Sequence, residues 1–325
     1  MINKKEKTVW ILYALLLVLL FLLSSTDLII KEQENEIYRL SVIIEDSRDD
    51  NYVNFRKGMD QAALELNADV SFITLYEKDN VQQQLELIER EQQDGAGALV
   101  ISPVDENIIS AALARSQISV PLLLLNTDLT GGHIAAAITP DYRAMGVKLA
   151  QEVMRNHART IPVYLFGEPE RNVIAQKFEA GILSELKSQG YEVTVVERKE
   201  ENDYRRAIEE LVYPGCKNVV IIALDSTSLV DTASILADSS VYASYVEGLY
   251  GRGTNLSVLN YLDRDQVRGI CVTDDFAAGY LSVKKAVDLM RNQGDRQRQI
   301  IQECYYIEKD DLRRPEYEKM LYPIE

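Results

Sequence analysis

The sequence predicts an α/β protein of two doubly wound lobes preceded by one N-terminal transmembrane helix, and three observations predict it. Short apolar runs alternate with amphipathic stretches at helical spacing, the pattern of βαβ units around a parallel sheet. The same alternation runs through once before residue 140 and again after it. A charge-free apolar run, residues 9–23, stands ahead of both.

That run follows Lys4, Lys5 and Lys7 and ends in Ser24-Ser25-Thr26-Asp27. Its length lies between a signal-peptide core and the roughly 17 residues of a minimal spanning helix. No small-x-small site follows it, and no cysteine precedes Cys216, which argues against cleavage and against a lipoprotein. An uncleaved signal anchor is expected at 9–26, between a cytoplasmic tail at 1–8 and a polar spacer at 27–38. The lysines before it, and Asp27, Glu32, Glu34 and Glu36 after it, leave Met1 in the cytoplasm and the main domain outside. Trp10, the only tryptophan, falls near the inner interface.

In the first half, strands are expected at 39–44, 70–75, 97–101, 121–125 and 134–138, the last after a turn at Gly131-Gly132. Helices are expected between them at 52–66, where Phe55, Met59, Ala62 and Leu66 share a face, at 81–92 and at 107–116. A long helix at 142–156 leads into the second half, with strands at 162–166, 192–196, 218–224, 242–250 and 269–273 and helices at 173–189, 203–211 and 228–237. A helix at 277–291, a strand at 301–307 and a tail packing through Tyr317, Leu321, Tyr322 and Pro323 complete the chain. The absence of a low-complexity linker predicts that structured strands cross between the lobes.

At 325 residues the chain exceeds one typical core, and 46% hydrophobic with 26% charged residues is the composition of a folded protein. The net charge of −16 argues against nucleic acid, which needs a clustered Lys/Arg surface. Cys216, Cys271 and Cys304 are too few for a disulfide framework and lack metal-ligand spacing, so neither disulfide, metal nor other cofactor is expected. His133 and His157 sit in no ligand or triad signature and are assigned structural roles.

Polar residues gather where the apolar runs stop. Ile44 is followed by Glu45, Asp46, Asp49, Asn51 and Tyr52; Ile101 by Ser102-Pro103-Val104-Asp105; Leu125 by Asn126-Thr127-Asp128. In the second half Phe166 leads to Gly167-Glu168, Leu224 to Asp225-Ser226, Tyr250 to Gly251-Arg252-Gly253-Thr254, and Val272 to Thr273-Asp274-Asp275. Open α/β sheets bind ligands outside the carboxyl ends of their strands, so tips from two facing sheets would line one interlobe cleft. Asp, Asn, Ser and Thr are also the usual helix N-caps, and each tip precedes a helix. Glu45, Asp49 and Arg252 are the poorest capping candidates by position, Asp225 and Ser226 are ambiguous, and Asp105 is assigned mainly to capping. Tyr52 is the preferred aromatic platform, with Phe276 and Tyr250 behind it.

The segments Leu40-Ser41-Val42-Ile43-Ile44, Leu99-Val100-Ile101-Ser102-Pro103-Val104-Asp105, Val120-Pro121-Leu122-Leu123-Leu124-Leu125-Asn126-Thr127-Asp128 and Phe178-Glu179-Ala180-Gly181-Ile182, in that order, resemble type I periplasmic binding proteins of the ribose/galactose-binding, LacI-like superfamily. Leu249-Tyr250-Gly251-Arg252-Gly253 and Asp274-Asp275-Phe276-Ala277-Ala278-Gly279 extend the likeness to membrane-anchored substrate-binding proteins of Gram-positive type. The resemblance implies two Rossmann-like lobes, residues 39–140 plus 274–302 and 141–273 plus 303–325, hinged about an interlobe cleft. It places the family's ligand loop on Glu45, Asp49, Asn51 and Tyr52, its Asn-Pro-x-Asp site on Ser102 to Asp105, and its Asp-Arg pair on Asn126 and Thr127. The second-lobe arginine falls on Gln176, the later Asn/Asp on Asp225, the Phe-Asp pair on Arg252 and Gly253, and the hinge Gln on Thr273 or Asp274. Gln176 and Gly253 depart from the charged residues usual there, which removes bidentate hydroxyl partners.

The expected function is non-catalytic: an extracytoplasmic, membrane-anchored protein that closes on a sugar, a polyol or an amino-bearing solute and presents it to a sensor histidine kinase or an ABC permease. A degenerate lobe pair used for protein interaction is one alternative. A hydrolase working through paired carboxylates such as Glu45 and Asp274 is another.

Overall fold

The structure is a computed structural model that describes residues 4–25, 36–77, 79–115, 118–127, 134–168, 173–200, 203–212, 218–291 and 298–322. His133, Cys216, Pro323, the Gly131-Gly132 turn and most of the 27–38 spacer lie outside these residues. The chain divides into two units, Met1–Ile37 and Tyr38–Glu325.

The first unit contains helix α1 (Lys4–Ser25), 22 residues or about 33 Å long. Its large apolar side chains, Trp10, Leu12, Leu16, Leu19 and Phe21 among them, are exposed on every face. Among the described residues no helix is long and apolar enough to cross a membrane. The spanning helix expected at 9–26 is therefore not found: the run of apolar side chains is shorter than the roughly 20 residues a bilayer core calls for.

The second unit contains two six-stranded sheets. In chain order the first lobe contributes β1 (Tyr38–Ile43), α2 (Val53–Leu66), β2 (Ala68–Ile73), α3 (Val81–Gln93), β3 (Ala98–Ile101), α4 (Glu106–Leu113), β4 (Leu122–Leu125) and β5 (Ile134–Pro140). There follow α5 (Tyr142–Asn156), β6 (Val163–Gly167), α6 (Val173–Ser188), β7 (Val193–Glu197), α7 (Asp203–Val212), β8 (Val219–Ala223), α8 (Ser226–Asp238), α9 (Ser240–Tyr245), β9 (Val246–Arg252), α10 (Leu256–Asp263) and β10 (Gly269–Thr273). The chain ends with α11 (Asp275–Met290), β11 (Gln299–Gln302), β12 (Cys304–Ile307) and α12 (Pro315–Leu321).

One sheet has the order β11-β5-β4-β3-β1-β2 and the other β12-β10-β9-β8-β6-β7. The two orders superimpose element for element, and every pairing is parallel except β10 with β12. The strands read as near-continuous apolar runs because helices cover both faces. All four residues of β3 and of β4 are buried, and Leu40, Val42 and Val100 pack under α2 and α11 while Ile43, Leu99 and Leu124 pack under α3 and α4.

Three segments connect the lobes. Helix α5 follows β5 but packs Leu149 and Val153 against Val163 and Leu165 of the second lobe. Helix α11 follows β10 but packs Val283 and Val287 against the first. The third is Glu303, between β11 and β12, so the single strand expected at 301–307 is two strands in different sheets. Each transferred helix crosses its neighbour through glycines. A Cβ on Gly58 of α2 would lie 1.9 Å from the Phe276 carbonyl oxygen, and one on Gly279 of α11 would lie 1.9 Å from that of Phe55. Gly146 of α5 and Gly181 of α6 repeat the device at 2.1 Å from the Phe178 and Arg143 oxygens.

The strand expected at 242–250 begins instead as helix α9, because Ser239 caps it by accepting a hydrogen bond from the Tyr242 amide. His157 is structural, as expected: its Nε2 lies 2.9 Å from the Tyr250 hydroxyl and its Nδ1 3.5 Å from the Glu247 carboxylate.

Candidate functional site

A cleft of about 490 Å³ opens at the carboxyl ends of the strands of both sheets. On the first-lobe wall β1 delivers Glu45, whose carboxylate accepts hydrogen bonds from the Tyr52 hydroxyl at 2.8 Å and from the Ser102 hydroxyl. Ser102 in turn accepts from Asn126 Nδ2 at 3.3 Å, and Asn126 Oδ1 accepts from the Tyr142 hydroxyl at 2.8 Å. Asn126 holds the left-handed backbone conformation, φ 60°, a strained geometry for a side chain at a strand tip that the surrounding bonds over-determine. Behind them the fully buried Gln84 donates to the Ser102 carbonyl and accepts from the Val104 amide, which pins the Ser-Pro turn after β3.

Where β10 passes into α11, Asp275 accepts from the Thr273 and Thr254 hydroxyls at 2.8 and 2.9 Å. Arg252 donates its Nε to the Leu224 carbonyl at 2.8 Å and lies 5.9 Å from the Phe178 ring centre. Arg198 is clamped between Glu168 and Asp231 and lies over Tyr204, itself stacked 4.8 Å from Phe166. At the mouth, Asn255 Nδ2 donates to Asn51 Oδ1 at 3.3 Å, a contact from one lobe to the other.

Burial pushes the Glu45 carboxyl above its ordinary value, against the pull of Ser102, its own backbone and Tyr52. Asp275 is raised for the same reason, against the pull of Thr273, Thr254 and, through space, Arg252. The Tyr52 and Tyr142 hydroxyls are pushed up by burial as well, so both remain donors. Among the described residues no group of three or more His, Cys, Asp or Glu side chains could hold a metal ion.

Of the residues proposed from sequence, Glu45, Asn51, Tyr52, Asn126, Asp225, Arg252 and Thr273 line this cleft. Asp225 does two jobs: it also caps α8, accepting from the Ser228 amide and hydroxyl at 2.8 Å each. Five others lie elsewhere. Asp49 is in an ion pair with Arg56, Gln176 is exposed on α6, and Asp274 caps α11 by accepting from the Ala277 amide. Ser102 and Thr127 are buried and line a side pocket of about 20 Å³ next to Glu45, where the Thr127 hydroxyl has no partner among the described residues. Asp105 caps α4, as assigned. Of the three proposed platforms only Tyr52 reaches the cleft, with its ring centre 5.9 Å from those of both Phe55 and Phe72; Tyr250 is in the second-lobe core.

Sequence reasoning missed Tyr142, Arg198 and Gln302, and it named Asp275 in the polar tip after β10 but assigned the ligand position to Asp274. The doublet itself held the signal for Asp275, since one N-cap needs only one of two adjacent carboxylates and Asp274 is that cap. The others begin or end elements from the neighbouring lobe and gain their position only through the crossovers.

The sequence matches the family model described as a periplasmic binding protein domain over residues 40–294, most of the chain. No curated protein sequence matches it. Among solved structures, a glucose-galactose binding protein, GanP, from Geobacillus stearothermophilus is similar at 14% identity and a TM-score of 0.75, over 86% of this chain and 100% of its own. An ABC transporter solute binding protein from Agrobacterium vitis, bound with α-D-tagatopyranose, has 17% identity and a TM-score of 0.76, over 88% of this chain and 99% of its own. A carbohydrate transporter solute binding protein from Agrobacterium radiobacter, in complex with D-arabinose, has 16% identity and a TM-score of 0.74, over 87% and 98%. The two six-stranded sheets, the crossing helices and the matched family model lead to one conclusion: the chain belongs to the periplasmic binding protein family, a family of binding proteins rather than enzymes.

Proposed function

We propose that the protein is an extracytoplasmic receptor that closes its lobes, residues 39–140 with 274–302 and residues 141–273 with 303–325, on a small polyhydroxylated, sugar-like ligand. The observation that supports this best is the cleft itself. Hydrogen-bonding groups enter it from the strand ends of both sheets, and its volume suits one small molecule. The sugars bound by the structurally similar Agrobacterium proteins support the same ligand class. Closure would be stabilised by contacts such as Asn255 to Asn51, and the closed shape would be what a membrane partner reads. Calorimetry against a panel of hexoses, pentoses, polyols and amino sugars tests the reading: saturable binding, with a smaller radius of gyration in solution, is expected. Silence across the panel would refute it.

The partner is an ABC permease or a sensor histidine kinase. Capture of one but not the other by the ligand-loaded chain, from membranes containing both, separates transport from sensing. Attachment of the protein to the membrane is assigned to α1, because its exposed apolar side chains cover all faces and lysines precede them. Deleting residues 4–25 is expected to move the protein from the membrane fraction to the soluble one. Unchanged fractionation, or a mature wild-type chain that lacks α1, would rule out the anchor.

A further inference from the structure

We propose that the solute carries a primary ammonium group on its polyol frame, and that Glu45 and Asp275 receive it. This deepens the sugar-like reading of the cleft and rests on it. Both carboxylates line the cavity, and both are bonded only to neutral groups: Tyr52, Ser102 and its own backbone on Glu45, Thr273 and Thr254 on Asp275. Neither takes part in an ion pair among the described residues.

Neither guanidinium that reaches the cleft is in an ion pair with Glu45 or Asp275, and Arg252 acts on Asp275 only through space. Arg198 is shared between Glu168 and Asp231, and Arg252 donates to the Leu224 carbonyl. Among the described residues six carboxylates line the cavity against these two cations. An anion taken out of water without a counter-charge is costly, and hydroxyl donors offset only part of that cost. An ammonium supplies the missing charge and three donors. The Tyr142 hydroxyl is within electrostatic reach of both Glu45 and Asp275, which places the two carboxylates around one region of the cleft. The neutral groups that remain, Asn126, Ser226, Thr254 and Gln302, suit hydroxyls on the rest of the ligand.

A neutral sugar could also donate hydroxyls to these two carboxylates, but it would add no charge to offset theirs. The test is calorimetry on the full chain in detergent micelles at about pH 7.5, with D-glucose, D-galactose and D-mannose, their 2-amino counterparts and the N-acetylated forms of those amines. At least one amino sugar is expected to bind about tenfold or more tighter than both its parent sugar and its N-acetyl form. Glu45→Gln and, separately, Asp275→Asn should bring that ratio close to one; a ratio that stays at tenfold or more in both variants would overturn the assignment. Parent sugars that bind as tightly as the amines would overturn the ammonium assignment and leave the sugar-like reading standing. Binding of none of the nine compounds would overturn both.

Discussion

Gly279→Ala is expected to destabilise the larger unit by about 2 kcal/mol or more, read as a lower urea midpoint at unchanged slope. The sign is not obvious in advance, since alanine is ordinarily the better helix residue by about 1 kcal/mol. It is decided by the 1.9 Å between the added Cβ and the Phe55 carbonyl oxygen, an atom of the α2 backbone that cannot rotate away. The helices must part, and the packing of Phe55 and Met59 against Val283 and Val287 parts with them. Gly58→Ala should behave alike from the other side, against the Phe276 oxygen. Because either substitution alone forces the same separation, the double variant should cost clearly less than the two single costs added. Asp275 opens α11, so ligand affinity should fall as well. A neutral or stabilising Gly279→Ala would show that the crossing is loose.

Glu45→Gln is expected to raise the thermal midpoint of the ligand-free chain at about pH 8 and to lose that advantage by about pH 4. Burial holds the Glu45 carboxyl above its ordinary 4.5 in the folded protein, with Asp46, Tyr52, Ser102 and Tyr142 as its neighbours. Between the ordinary and the raised value the folded state binds more protons than the unfolded chain. Stability therefore falls as pH rises through that interval and stays reduced above it. Asp275, raised from 3.8, acts in the same sense, so Asp275→Asn should repeat the result. His157 opposes it, because burial depresses the imidazole in the folded state and stability is regained as pH climbs toward 6.5. Comparing each variant with the wild type at every pH cancels the histidine. Midpoints that differ by the same amount at pH 4 and pH 8 would show that Glu45 is ionised without penalty. A gain at pH 8 that disappears at pH 4 would make the site one that holds stability below its attainable value in order to bind.

The fold was readable in the sequence wherever a segment's partners are local. The helix expected at 142–156 and the strand at 269–273 coincide with α5 and β10, because apolar spacing and flanking caps mark both ends. It failed where tertiary context decides. Residues 301–307 read as one β-prone run interrupted only by Gln302-Glu303, and that polar pair alone does not record that Gln302 joins one sheet and Cys304 the other. The Val- and Tyr-rich stretch 240–245 reads as strand until Ser239 is seen to cap it as a helix. Helix α10 was not drawn at all, although Asn255 accepts from the Val258 amide as an ordinary N-cap.

The site divides in the same way. Strand-tip residues with no capping duty, Glu45 and Arg252, were found by position, while Asp274 was chosen over Asp275 because two adjacent carboxylates look alike in one dimension. Asp49 was drawn away by Arg56 and Gln176 by the outward face of α6. Tyr142 was invisible because it enters the cleft only after α5 has changed lobes.

The transferred helix also orders events in time. Phe55, Met59 and Ala62 emerge early from the ribosome, but Val283, Ala286 and Val287, which cover the same core, follow about 220 residues later. At roughly 5–20 residues per second that is a wait of some tens of seconds. The fully buried residues of the face that joins Met145 and Leu149 to Val163 and Val220 all lie between Tyr142 and Cys271, with Cys304 and Tyr306 added at its edge, so most of it can consolidate first. The half of the molecule that begins synthesis first must therefore remain open, with Leu40, Val42 and Val100 uncovered, until the half that follows it is nearly complete. During that interval the nascent chain is a client for whatever cellular machinery shields apolar strands.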